Sequence, residues 1–140
     1  MVKIFVLSQY STSPPTQLGG GRIKIEGGPL YDLATVQQLV DDSDSINLLT
    51  RTCIGDVHKL FDSDTEQVAA LIQALGPQDY IDSEWCETSK TSVTACDAYR
   101  IRRGEVAAAT GKLMTTEYFL KFAIGKTGQL VLLVSCHLSR

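Results

Sequence analysis

The last third of the chain most constrains its fold, because it has the pattern of three consecutive strands. Residues 94–102 alternate with a period of two, which places Tyr99 on one face of a strand and Arg100 on the other. Residues 113–124 also have strand character, and residues 129–137 are apolar enough to form the central buried strand of a sheet. Glycine turns separate these segments, which predicts an antiparallel arrangement.

The middle of the chain has the period of helices instead. Asp32 is predicted to cap the first helix, and Ser63 with Glu66 has the pattern of a capping box at the start of the third. Residues 79–85, which follow the third helix, are predicted to form only a further turn. Apolar residues recur every three or four positions in three segments: residues 31–40, 51–60 and 63–75.

The N-terminal residues 1–28 form an extension, with a short buried strand over residues 2–7 and a half-exposed strand over residues 22–26. A β-hairpin is one arrangement for this extension. Residues 11–21 between the strands are rich in Ser, Thr, Pro and Gly, which favours a flexible loop. The element order predicts an α+β fold: a two-layer domain with an antiparallel sheet and three helices packed on one side.

Composition excludes several classes of protein. The chain has 140 residues, 44% apolar and 21% charged, which fits one globular domain. No apolar run approaches the length of about 18 to 20 residues that spans a membrane, so we expect a cytoplasmic protein without a membrane partner. The four cysteines form no Cys-x-x-Cys pair, which favours mostly buried free thiols over a metal site.

Charge is distributed unevenly along the chain. Residues 1–89 carry five bases against thirteen acids, whereas residues 90–140 carry eight bases against three acids. A basic segment in an acidic protein indicates a polyanionic partner for that segment, although two solvated surfaces that neutralise each other would have the same composition.

The candidate chemical groups also lie in the basic segment. Tyr99 stands beside Arg100, Arg102 and Arg103, and aromatic residues mixed with bases are typical of grooves for single-stranded nucleic acid. His137 ends the last predicted strand, where it is either a general acid or base or an ordinary surface histidine. His58 lies in the middle of a predicted helix and is expected at the surface.

Six short blocks, by their order and spacing, resemble the MqsR family of bacterial toxins, which are messenger-RNA interferases. The resemblance covers about residues 29–137, so residues 29–140 are interpreted as an MqsR-like domain, and residues 105–115 look like an insertion. The blocks are Pro29–Leu33, Val36–Val40, Leu75–Tyr80, Asp97–Arg100, Glu117–Phe122 and Leu132–His137.

The resemblance implies a RelE-like fold and a metal-independent endoribonuclease that needs no cofactor. Such a protein is the toxin of a type II toxin–antitoxin pair, and its partners are RNA and a cognate antitoxin. DNA is bound by the antitoxin, so we expect no direct sequence-specific DNA binding by this chain. In-line RNA cleavage needs a base, a cation and an acid.

The family pattern and the local chemistry select seven residues. Lys121 matches the lysine of the family's strand, and Tyr99 with Arg100 matches its Asp-x-Tyr-Arg block. The predicted catalytic residues are His137, Lys121 and Tyr99, and the predicted substrate-binding residues are Arg100, Arg102, Arg103 and Tyr118.

Other functions remain open at this point. The chain differs from the family pattern at Asp82, Cys96 and Phe119, where the family has a lysine, a glutamine and a tyrosine. A catalytically inactive relative that binds RNA or an antitoxin is therefore the second hypothesis. An unrelated small α+β enzyme or structural domain is the third.

Overall fold

The structure is a computed structural model that describes residues 3–139. The predicted strand over residues 2–7 and the predicted domain over residues 29–140 each begin or end one residue outside this range. In the described part of the chain, the helices and strands are β1 (Phe5–Val6), β2 (Ile23–Lys24), α1 (Leu33–Leu39), β3 (Ile46–Leu48), α2 (Arg51–Phe61), α3 (Thr65–Gln73), β4 (Tyr80–Glu87), β5 (Ser92–Val106), β6 (Leu113–Ile124) and β7 (Val131–Leu138).

The strands form one mixed sheet in the order β2-β4-β5-β6-β7-β3, with β1 beside β5. The α+β class and the three C-terminal strands are confirmed, but the prediction of a purely antiparallel sheet is wrong. The short strands β3 and β1 run parallel to β7 and β5. Their main-chain groups fill free hydrogen-bonding positions of longer strands, and Leu49, directly after β3, continues this pairing by donating from its N to Leu133 O at 2.9 Å. β7 is buried as expected, but it lies between β6 and β3 and not at the centre.

The three helices pack on one side of the sheet. Val57 of α2, Val36 of α1 and Leu71 of α3 are fully buried in a single core with sheet residues such as Leu120. The carboxylate of Asp32 caps α1 as predicted, accepting from Thr35 N at 3.2 Å.

The predicted capping box at the start of α3 is wrong. The carboxylate of Asp64, not the hydroxyl of Ser63, caps the helix by accepting from Glu66 N at 2.9 Å. Asp62 and Ser63 both have positive φ angles, so the chain reverses there and α3 begins one residue later.

In the region predicted as a turn over residues 79–85, Asp79 ends a short 3-10 helix and residues 80–85 are instead part of strand β4. Its acidic residues make a strand unfavourable on local preference alone. In the fold they lie beside cations of other strands, as Lys24 Nζ lies 3.0 Å from the Asp82 carboxylate. Long-range pairing of this kind is invisible to a local pattern.

The N-terminal residues pack onto the same sheet. β1 pairs with β5 and β2 pairs with β4, so each of these two strands has a partner other than its hairpin neighbour. Ile4 and Val6 contribute to a second apolar cluster around Trp85, whose side chain is almost fully buried. The extension therefore belongs to the sheet that carries the candidate site.

All four cysteines are free thiols, as predicted. Cys53, Cys96 and Cys136 are buried and Cys86 is half-buried. Among the helices of residues 3–139, none has the length and apolar character needed to cross a bilayer.

Candidate nucleic-acid interface

Strand register divides the predicted site residues between the two faces of the sheet. Directly opposite residues of an antiparallel pair lie on the same face. Arg100 lies opposite Phe119, which lies opposite His137, and Lys121 lies two positions further along the same strand. We call this surface the open face, and define it by Arg100, Arg102, Glu117, Phe119, Lys121 and His137.

His137 stands at the surface with its ring held in place. Its imidazole stacks on Phe119, with ring centroids 5.1 Å apart and planes 21° apart. Its Nδ1 atom lies 2.8 Å from the carbonyl oxygen of Leu138. A carbonyl can only accept, so Nδ1 carries the proton in this contact. In the neutral ring, Nε2 is therefore the nitrogen that can accept a proton.

The ammonium group of Lys121 lies on the same face and is fixed by an ion pair. Its Nζ atom donates to the carboxylate of Glu84, a residue of β4 that is 2% exposed. Partial burial tends to lower the pKa of Lys121, but the neighbouring Cys86 and Glu84 side chains raise it above its ordinary value. Lys121 is consequently charged at neutral pH, with an ammonium group fixed in direction.

Arg22 adds a cation that the sequence interpretation did not assign to the site. It comes from the N-terminal extension, beside β2, and its Nε donates to Glu84 at 2.6 Å while the side chain is 65% exposed. Burial tends to raise the pKa of Glu84, but hydrogen bonds from Arg22 and Lys121 lower it overall. The alternation Arg22-Ile23-Lys24 was the available signal, since it places two bases on one side of a strand.

Asp82 lies where the MqsR family has a lysine, and its negative charge is compensated by cations of the same extension. Its carboxylate lies 3.0 Å from Lys24 Nζ and 3.8 Å from a guanidinium nitrogen of Arg22. The extension therefore supplies positive charge where the β4 position itself is negative.

The two arginines of β5 also lie on the open face. Arg102 Nε is 2.6 Å and Arg100 Nε 3.5 Å from the carboxylate of Glu117, and both guanidinium groups remain largely exposed. The hydrogen bond from Arg102 is the largest cause of the lowered pKa of Glu117. On and beside this face, five bases (Arg22, Lys24, Arg100, Arg102 and Lys121) accompany three acids (Asp82, Glu84 and Glu117).

Three of these bases and two of the acids line a cleft of about 530 Å³ that is open to solvent. It brings three predicted site residues, Arg100, Lys121 and His137, into contact with one volume. The cleft is lined by Arg22, Ile81, Asp82, Arg100, Glu117, Phe119, Lys121, His137 and Ser139.

Three of the remaining predicted site residues, Tyr99, Tyr118 and Arg103, lie on the helix side of the sheet. Tyr99 is 1% exposed, with its ring stacked 5.3 Å from that of Phe122. Burial raises its pKa to about 12. Tyr118 is also buried and donates its hydroxyl to Glu105 at 2.6 Å. By register Arg103 shares this side of the sheet, so the structure does not bring these three together with His137.

The MqsR family has a tyrosine at the position of Phe119. The neighbouring Tyr118 could take the place of that tyrosine only if its side chain turned toward the open face. The irregularity in β6 occurs between Lys121 and Phe122, beyond Tyr118, so the side-chain alternation at Tyr118 and Phe119 is undisturbed. Phe119 therefore occupies the open face. Cys96, where the MqsR family has a glutamine, is fully buried.

Within residues 3–139, no three metal-ligating side chains come close enough together to form a metal site. Neither a family model, nor a curated protein, nor a solved structure matches the chain. The MqsR resemblance therefore depends on the six sequence blocks, and the RelE-like topology stays a prediction.

Proposed function

We propose that this protein is a metal-independent endoribonuclease that cleaves messenger RNA, the toxin of a bacterial type II toxin–antitoxin pair with a RelE-like fold. The observation that carries the proposal is the shared cleft of Arg100, Lys121 and His137 on the open face. A cognate antitoxin is its second partner, supported by the sequence resemblance alone.

In the proposed reaction His137 acts as the general base. Its Nε2 atom takes the proton of a ribose 2′-hydroxyl, and the 2′-oxygen attacks the adjacent phosphorus. The hydrogen bond from Nδ1 to Leu138 and the stack on Phe119 keep the ring oriented for this step. A second proton carrier on the protein is not needed, because the cleft is open and water can protonate the leaving 5′-oxygen.

Lys121 supplies the cation that the transition state needs. Negative charge grows on the phosphate oxygens as the 2′-oxygen attacks, and an ammonium group already fixed by Glu84 stabilises it without reorganising. Arg100 and Arg22 hold the flanking phosphates at the edges of the cleft. The products are a 2′,3′-cyclic phosphate and a free 5′-hydroxyl.

The test is RNA cleavage by the purified full chain in the presence of a metal chelator. We expect His137→Ala to slow cleavage by about 10² to 10⁴-fold and Lys121→Ala by about 10² to 10³-fold. Lys126→Ala is the matched control, because Lys126 is exposed in the turn between β6 and β7. It should cleave at the wild-type rate. Intact RNA after incubation with folded wild-type protein would contradict the proposal.

A second candidate is a relative that binds RNA without cutting it. The observation that favours it is the pairing of Lys121 with Glu84 and of Arg102 with Glu117, which leaves less free charge for a transition state. This alternative expects RNA binding by the wild-type chain, no cyclic phosphate product, and no effect of His137→Ala on affinity.

A further inference from the structure

A second cleft, of about 550 Å³, meets the first one at His137. Its walls come from the start of α2, the end of β4 and the last strand, and they include Thr52, Asp56, Glu87, Thr88 and Ser135. Because His137 lines both clefts, they adjoin, and a ligand long enough to pass His137 can occupy both.

The two clefts differ in the sign of their charge. The first contains Arg22, Arg100 and Lys121, whereas the described lining of the second contains no lysine or arginine and has two carboxylates, Asp56 and Glu87. A phosphate is repelled by this second lining. Hydroxyl groups and carboxylates instead suit a neutral ligand with N–H donors, as a nucleobase has.

Asp56 is the acceptor that this cleft leaves unused. One of its oxygens, Oδ2, is buried and has no hydrogen-bond partner among the described residues. Glu87 is already engaged, because its carboxylate accepts from Gly19 N at 2.8 Å. A buried acceptor without a partner is costly, and the terminal torsion of an aspartate turns easily, so either oxygen can meet a donor in the cleft.

We propose that this second cleft binds the base next to the phosphate held by Lys121, and that Asp56 makes the site prefer bases with an amino group. Cytosine, adenine and guanine each offer such a donor, whereas uracil has a carbonyl oxygen at the position of the cytosine amino group. The proposal rests on the proposed function, since it requires an RNA strand with its scissile phosphate on the open face.

The test compares two non-cleavable RNAs, 2′-O-methyl oligocytidine and 2′-O-methyl oligouridine of equal length. They differ only on the base edge: cytosine has an amino group at C4 and an acceptor at N3, whereas uracil has a carbonyl oxygen at C4 and an N–H at N3. By fluorescence anisotropy, we expect the wild-type chain to bind oligocytidine about tenfold more tightly than oligouridine. Asp56→Ala, which removes both acceptor oxygens, should bring the ratio close to one. Glu66→Ala, which removes an exposed carboxylate on α3 outside the cleft, is the control for the lost charge and should keep the wild-type ratio.

The outcomes separate the two proposals. If the folded wild-type chain binds neither RNA, the proposed function fails. If it binds both equally, or if a folded Asp56→Ala variant keeps the wild-type ratio, the base site is wrong while RNA binding by the open face stands. The wild-type ratio needs no variant, so equal binding of the two RNAs overturns the base site even if Asp56→Ala does not fold.

Discussion

Replacing Glu84 by glutamine tests whether the site is held together by this one buried carboxylate. Glu84 receives charge-assisted hydrogen bonds from Lys121 and Arg22, and it is 2% exposed. A hydrogen bond to a charged group contributes about 1.5 to 3 kcal/mol. The share of the largely exposed Arg22 is smaller, about 0 to 1 kcal/mol. We therefore expect Glu84→Gln to lower the free energy of unfolding at pH 7 by about 2 to 4 kcal/mol.

The same change has a characteristic dependence on pH. The pKa of Glu84 is lowered in the folded state, so its contribution is present above the unfolded pKa, near 4.5. It is lost as the pH falls through the folded pKa, where the carboxylate becomes protonated. The difference in stability between the wild-type chain and Glu84→Gln should therefore shrink in acid.

Urea unfolding followed by circular dichroism, at pH 7 and at a series of values below pH 4.5, measures both effects. With an unfolding entropy of about 2.1 cal/mol/K per residue, the loss at pH 7 corresponds to a Tm lower by about 7 to 14 °C. Glu26→Gln, at an exposed position after β2, should match the wild-type chain. A Glu84→Gln variant as stable as wild type at pH 7, or a deficit that stays constant in acid, would contradict a stabilising role for the charged Glu84 carboxylate.

Two further variants test which residues belong to the site on the open face and which do not. Arg22→Ala should weaken RNA binding and reduce the slope of log affinity against log salt by about 0.7, because one phosphate contact is lost. Anisotropy titrations over a range of salt concentrations measure this slope. An unchanged slope would remove Arg22 from the site. Tyr99→Phe should leave the rate of RNA cleavage within about twofold of wild type, since the Tyr99 side chain is buried on the helix side. A loss of cleavage rate as large as that of His137→Ala would place Tyr99 in the reaction.

Local periodicity accounts for the part of the site that could be predicted. The alternation in residues 94–102 already placed Arg100 and Arg102 opposite to Tyr99, and β5 shows this division. Tyr99 was nevertheless predicted as catalytic from the family pattern, which does not specify which face a residue occupies. Faces within one strand follow from sequence because side chains alternate there.

Contacts between distant segments account for what could not be predicted. Arg22 is 62 positions away from Glu84 in the sequence. It reaches the site only because β2 pairs with β4. β4 itself contains acids that disfavour a strand until Lys24 and Lys121 lie beside them. The parallel strand β3 is too short to show a period, and its partner β7 follows it by more than eighty residues.

The most direct test of the account maps RNA onto the two faces of one strand. Arg100, Arg102 and Arg103 are neighbours in β5, but by register Arg103 lies on the opposite side from the other two. Their side-chain Nε–H signals can be followed by NMR while a 2′-O-methyl RNA is added. RNA binding on the open face predicts shifts for Arg100 and Arg102 together with the His137 ring, and none for Arg103. Shifts at Arg103 with Arg100 and Arg102 unchanged would contradict RNA binding on the open face.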